Sequence, residues 1–177
     1  MDEITLLLSK AHAEFRKLRN GEVGDNLRAQ GIDYKTIWGL ESYRLKEIAE
    51  LLRPEFKSEE QQREVAERLW SEDVRESKML ATRLYPTVLM TAEMAQQWAE
   101  GIRYVELADQ ACMHLFSKLS FAPALAEQWI EGSDLLQYMA LQLVNRLELP
   151  DWQDRASHIA QDPTRPMWLR VAGNNVL

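Results

Sequence analysis

The sequence predicts an all-α protein, an α-α superhelix in which helix pairs stack as a HEAT- or armadillo-like solenoid. Three observations carry this. Prolines 54, 86, 123, 150, 163 and 166 each fall where an apolar pattern stops or restarts, as helix boundaries do. Alternating β-branched runs between turn signals are missing, so no sheet is expected. A helical unit also recurs. "LWSEDVRESKMLATRL" from Leu69, "QWAEGIRYVELADQAC" from Gln97 and "QWIEGSDLLQYMALQL" from Gln128 each place Trp second, then a short acidic turn, then an apolar helix. Trp70, Trp98 and Trp129 are 28 and 31 residues apart, and Ile159 takes the Trp place 30 residues later in "HIAQDPTRPMWLRVAGNNVL". Units of that period bury their faces by stacking on one another. A helical bundle with coincidental tryptophans is the competing reading.

The elements follow in chain order. One domain is expected over 1–177, opening with an N-terminal helix and a loop over 1–40. The loop, "NGEVGDNLRAQGIDYKTIWG" at 20–39, carries four glycines and is long for a compact domain. Repeats are expected at about 58–86, 91–119, 122–148 and 151–177. Ser58 with Gln61, and Asp73 with Glu76, have capping-box spacing.

Composition excludes several classes. With 46% hydrophobic and 28% charged residues, the chain is an ordinary globular one. A net charge of −7 does not advertise nucleic-acid binding, yet a local basic groove on an acidic body stays compatible with it. Cys112 is the single cysteine, so no intrachain disulfide forms, and "MDEITLLLSKAH" fits neither an export signal nor a membrane span. The expected location is the cytoplasm, with no membrane contact. His12, His114 and His158 are scattered, so neither a metal nor any cofactor is expected. There is no phosphate loop, dinucleotide fingerprint or Gly-x-Ser-x-Gly. Cys112 and His114 lie two residues apart on a helix, where side chains diverge.

One residue breaks the repeat. "YVELADQACMHLF", 104–116, sets Asp109 among Ala108, Cys112, Met113 and Phe116, which recur at the spacing of a buried stripe. Eleven residues past each Trp stand Ala81, Asp109 and Ala140, so the middle unit holds an acid where its neighbours hold alanine. A buried carboxylate needs a partner or an open groove. A salt bridge to Arg75 or Arg83 and a functional site are both open readings.

"NGEVGDNLRAQGIDYKTIWGLESYRLKEIAELL", "AERLWSEDVRESKMLATRLYP" and "QQWAEGIRYVELADQACMHLF" together resemble the DNA alkylation repair (AlkD-like) family. The carrying features are Tyr34 and Gly39 before "RLKEIA", the "LW" then "VRESKMLA" unit, and the Trp then "AD" of the next. The resemblance runs from about residue 20 to about residue 148. It implies a right-handed HEAT-like solenoid that holds double-stranded DNA on a basic concave face. In active members it implies a glycosylase, a hydrolase that removes cationic N3- and N7-alkylpurines without extruding the base. "YVELAD" lies on the family's "WWDxVD" segment, which makes Asp109 the catalytic acid supporting the sugar cation, with Tyr104 as an aromatic contact. Fixed negative charge in a partly desolvated cleft suits an oxocarbenium-like centre, and the same carboxylate can orient water. The motif is thinned. Val105 stands where the family has an aromatic, and Gln137 and Tyr138 stand where it has a basic pair. The family's C-terminal Trp and Arg correspond to Trp168 and Arg170. The resemblance therefore implies the fold and a DNA partner, and leaves excision open.

Arg75 and Arg103 each lie five residues past a repeat Trp, where they could line one groove edge and hold phosphates, or pair with Glu72 and Glu100. Lys35, Arg44 and Lys46 border the glycine-rich stretch and are further DNA-binding candidates beside the reading of a solvated helix face. The tryptophans read as packing anchors, and Tyr34 and Trp38 as core. The alternative function, favoured by the acidic balance, is a non-catalytic repeat scaffold that binds a protein partner.

Overall fold

The computed structural model describes residues 2–177 and is helical nearly throughout. It forms two compact units, one ending at Leu89 and the other spanning Met90–Leu177. Among the described residues, no helix is long and apolar enough to cross a membrane.

The first unit holds α1 (Glu3–Lys17), α2 (Gly21–Ala29), α3 (Ser42–Leu52), α4 (Glu59–Ser71) and α5 (Arg75–Leu84). Leu7, Ala11 and Phe15 recur every fourth residue along α1 and are buried where it packs on α3 and α4. At the start of α4, Ser58 Oγ accepts from Gln61 N at 3.1 Å, while Gln61 Oε1 accepts from Lys57 N at 2.8 Å. This is a capping box displaced by one residue.

The second predicted box does not form. Helix α5 begins after Val74 with no side-chain cap. Asp73 instead accepts from Lys35 N at 3.1 Å, and Glu76 accepts from the backbone N–H groups of Trp38, Gly39 and Leu40 at 2.9, 3.0 and 3.2 Å. The physical reason is competition. Thr36 and Val74 form an isolated parallel bridge, which brings a row of otherwise unpaired amides onto the start of α5.

The stretch expected as a loop over 20–39 contains α2. Asn20 Oδ1 accepts from Val23 N at 3.2 Å to open it, and Gly31 at φ +89° lies just beyond its end. With only Val23 and Leu27 as large apolar residues, α2 has no stripe to read; its caps delimit it. The linker from α2 to α3 returns against α2 at Gly39, where φ is +77° and an added Cβ would stand 2.1 Å from Asn20 O.

The second unit holds α6 (Ala92–Glu100), α7 (Val105–His114), α8 (Ala122–Trp129), α9 (Asp134–Leu147), α10 (Gln153–Gln161) and α11 (Met167–Asn174). Helix α8 packs on α9 and α10 on α11, while α7, α9 and α11 form a row with α9 between the other two. Trp98, Trp129 and Ile159 hold matched places on α6, α8 and α10 and are all buried. Trp129 meets Phe116 edge-on at 5.1 Å and donates its indole N–H to Gln96 Oε1 at 2.6 Å. Each such buried side chain contributes about 1.5–3 kcal/mol of apolar burial. Trp70, in the first unit, differs: it is half-buried, with the Lys78 ammonium 4.9 Å from its ring centre. Helices α10 and α11 approach closely at Gly173, where a Cβ would stand 2.8 Å from Ala156 O.

Candidate nucleic-acid interface

The repeat register explains why Asp109 is unusual. Ala81 and Ala140, at the equivalent places, are 0% exposed, as close helix packing requires. Asp109 is only half-buried on α7, although Ala108, Cys112 and Phe116 around it are fully buried. Met113, predicted in the same stripe, turns outward in the last turn of α7 and is 42% exposed.

The carboxylate is held by a neutral donor. Tyr138 Oη on α9 donates to Asp109 Oδ1 at 2.7 Å, and the edge of the Trp168 ring on α11 meets Tyr138 at 5.5 Å and 77°. Three successive second helices thus contribute one acid, one phenol and one indole. Burial pushes the Asp109 carboxyl above its ordinary value; the Tyr138 bond and then Arg146 oppose this, and Glu106 adds to the rise. Tyr138 is shifted upward too, first by burial and then by donating to the acid.

The two arginines weighed as partners for the acid are held by groups of the first unit. Arg75 is buried; its Nη1 donates to Leu40 O at 3.0 Å and to Glu76 Oε1 at 2.7 Å. Arg83 donates to Met79 O at 3.0 Å and Ser42 Oγ at 2.7 Å. Burial, with the charges of Arg53 and Arg75, lowers Arg83 to about 10, still cationic at neutral pH.

The other candidates divide between the units. Arg75 is not at an open edge: it joins Glu76 in fixing the linker before α3, and Glu72 pairs with His12 at 2.9 Å and Ser77 at 2.5 Å. Arg103 is exposed, with its guanidinium 5.5 Å from the ring centre of Tyr104, the half-buried N-cap residue of α7. Val105, one turn before Asp109, is half-buried, so an aliphatic side chain occupies the stacking place that the resemblance assigns to an aromatic. In the first unit Lys35 is exposed, Arg44 lies over Tyr43 at 4.8 Å and pairs with Glu47 at 2.9 Å, and Lys46 stands 3.8 Å from Glu50. Arg170 Nε donates to Ala160 O at 3.2 Å.

Cys112 is wholly buried, its thiol faces Met139 O at 3.8 Å, and desolvation pushes its pKa far up, which suits packing and not nucleophilic chemistry. Among the described residues no group of three or more His, Cys, Asp or Glu could hold a metal. The role of Tyr138 was missed from sequence. Its only signal is that neighbouring second helices pack, so that α9 must offer something to the acid of α7.

No curated protein matches the chain by sequence. A solved structure, described as a new family of proteins related to the HEAT-like repeat DNA glycosylases with affinity for branched DNA structures, superposes with a TM-score of 0.75. It is 18% identical, and the match covers 99% of this chain and 74% of that one, a likeness of fold. The family model for DNA alkylation repair enzymes matches residues 11–165. A match over most of the chain, on the same HEAT-like helical architecture, places it plainly: it belongs to the DNA alkylation repair enzyme family.

Proposed function

We propose that this protein binds double-stranded DNA along the row of α7, α9 and α11, with Asp109 as the anionic centre. The observation that carries this is the partner of the acid: a half-buried carboxylate held by the neutral Tyr138 keeps its charge available, whereas one locked to a guanidinium would not.

The chemistry that suits such a centre is loss of a cationic alkylpurine. The C1′–N bond breaks with its electron pair moving to the purine, which leaves neutral, and positive charge develops on the sugar. Asp109 stabilises that charge and then accepts a proton from the water that attacks C1′. Tyr138 keeps the acid oriented, and Tyr104 gives an aromatic contact. Arg103 supplies a phosphate contact beside this row. On the first unit, taken by itself, Lys35, Arg44 and Lys46 are the candidates for phosphate contact, and Arg75 acts from the interior by fixing the segment that bears Lys35.

A second reading has its own support. The chain carries a net charge of −7, and Gln137 and Tyr138 occupy the place of a basic pair, so a non-catalytic scaffold for a protein partner remains in competition. Fluorescence anisotropy with a short duplex separates the two. A DNA binder weakens steeply with salt as counterions are released, and no affinity at low salt supports the scaffold. A four-way junction belongs in the same series, because the structural neighbour is described by its affinity for branched DNA. For excision, Asp109→Asn abolishes release of 7-methylguanine from alkylated DNA; equal release by variant and wild type removes Asp109 from the mechanism.

A further inference from the structure

We infer that Arg146, in the last turn of α9, seats the DNA backbone at Asp109 by taking the phosphate next to the nucleoside whose sugar faces the acid. This rests on the reading of α7, α9 and α11 as the DNA face. Repeat register does not point to Arg146, which lies 17 residues past Trp129 and not five.

Helix α9 leads from the acid out to solvent. Tyr138, Gln142 and Arg146 follow one another a turn apart and are buried, half-buried and exposed in that order. A long helical side chain lies back over the turn before its own Cα, so Arg146 leans toward Gln142 and the Tyr138–Asp109 pair. Its charge reaches that pair: it favours the ionised forms of Asp109 and Cys112 on α7 and of Tyr138 on α9.

The guanidinium is also open to a ligand. Tyr138, and not Arg146, bonds the carboxylate of Asp109. Among the described residues Arg146 has no ion-pair partner, whereas other arginines of this unit are neutralised. Arg155 makes a bidentate pair with Glu127 at 2.6 and 3.0 Å, and Arg165 pairs with Asp134 at 2.7 Å and Asp162 at 3.4 Å. An ionised Asp109 repels a backbone that carries a negative charge at every phosphate. Neither Gln137 nor Tyr138 brings a charge to offset that repulsion. A guanidinium beside the acid does, and its planar fork matches two phosphate oxygens.

The test is fluorescence anisotropy of the full chain on a short duplex over a range of salt. Wild type is compared with Arg146→Gln, Arg146→Lys and Lys118→Gln, the last an exposed cation in the α7–α8 connection. Arg146→Gln should reduce the slope of log affinity against log salt by about one, the loss of one phosphate contact. Its binding at low salt should weaken roughly tenfold, with Arg146→Lys recovering most of the slope. Without DNA, the Asp109 midpoint in a carbon NMR titration should rise in Arg146→Gln. An unchanged slope in Arg146→Gln, an equal fall in Lys118→Gln, or an unmoved Asp109 midpoint overturns the role of Arg146 and leaves the DNA reading standing. A wild type with no affinity for the duplex at low salt overturns that reading, and the contact with it.

Discussion

Replacing Glu76 with alanine tests how the first unit is held. This carboxylate is 0% exposed and accepts four hydrogen bonds: three from consecutive backbone N–H groups at Trp38, Gly39 and Leu40, and one from Arg75 at 2.7 Å. Hydrogen bonds to a charged group are worth about 1.5–3 kcal/mol each, but four on one residue do not add. The better guide is the cost of breaking a buried ion pair from one side, about 3–5 kcal/mol, because Arg75 stays behind at 5% exposure without its acid. Glu76→Gln preserves volume and one acceptor but sets an amide N–H₂ against a backbone donor, so its loss should be smaller, about 2 kcal/mol. For a chain of this size the alanine figure corresponds to a melting shift of roughly 6–20 °C. Urea denaturation gives the free energy, and hydrogen exchange at the amides of 38, 39 and 40 gives the local effect. A loss below about 1 kcal/mol, with exchange at those amides unchanged, would refute the view that Glu76 pins this linker.

Three further outcomes follow from the same geometry. Tyr138→Phe removes the donor that favours ionised Asp109, so the acid should titrate at higher pH than in the wild type, read from its carboxyl carbon in an NMR titration; an unchanged or lower midpoint contradicts the assignment. Asp109→Asn should stabilise the fold at neutral pH. Because folding raises this carboxyl's pKa, its stabilising contribution is full only below the ordinary carboxylate value of 3.8 and is lost as pH rises through the folded value. The variant's advantage in melting temperature should therefore shrink on acidification, and one that grows as pH falls has the wrong sign. Gly39→Ala forces a side chain into φ +77° with its Cβ 2.1 Å from Asn20 O, so a loss of about 3 kcal/mol is expected in urea denaturation, and a neutral substitution would show that the linker can move aside.

What could be read from sequence was what repeats. Helix pairing, the Ser58 cap and the buried Trp98 and Trp129 follow from periodic apolar residues and local cap chemistry, both written in contiguous residues. The position of Asp109 on α7 was legible for the same reason. Non-local pairing was not. Asp73 and Glu76 have capping-box spacing, yet their oxygens go to amides 36 to 38 residues away, because those amides had no other acceptor. Arg75 repeats in register with Arg103, but one is buried against Glu76 and the other is exposed. Spacing places a residue on its own helix; it does not say which neighbour arrives to cover it.

That distinction bears on the site. A stacked array favours the same small residue wherever two second helices meet, and Ala81 and Ala140 obey. An acid at that position costs packing and solvation, and Tyr138 recovers only part of it, since burial still outweighs the hydrogen bond at the carboxyl. A residue that breaks the rule its own repeat sets, with incomplete compensation, is where function is most economically placed. The neighbouring Gln137 breaks a rule of another kind, a buried carbonyl with no donor, and successive residues of a helix point about 100° apart. Helix α9 therefore turns Tyr138 toward the acid of α7, while Gln137, the residue before it, is buried on a different side of the helix.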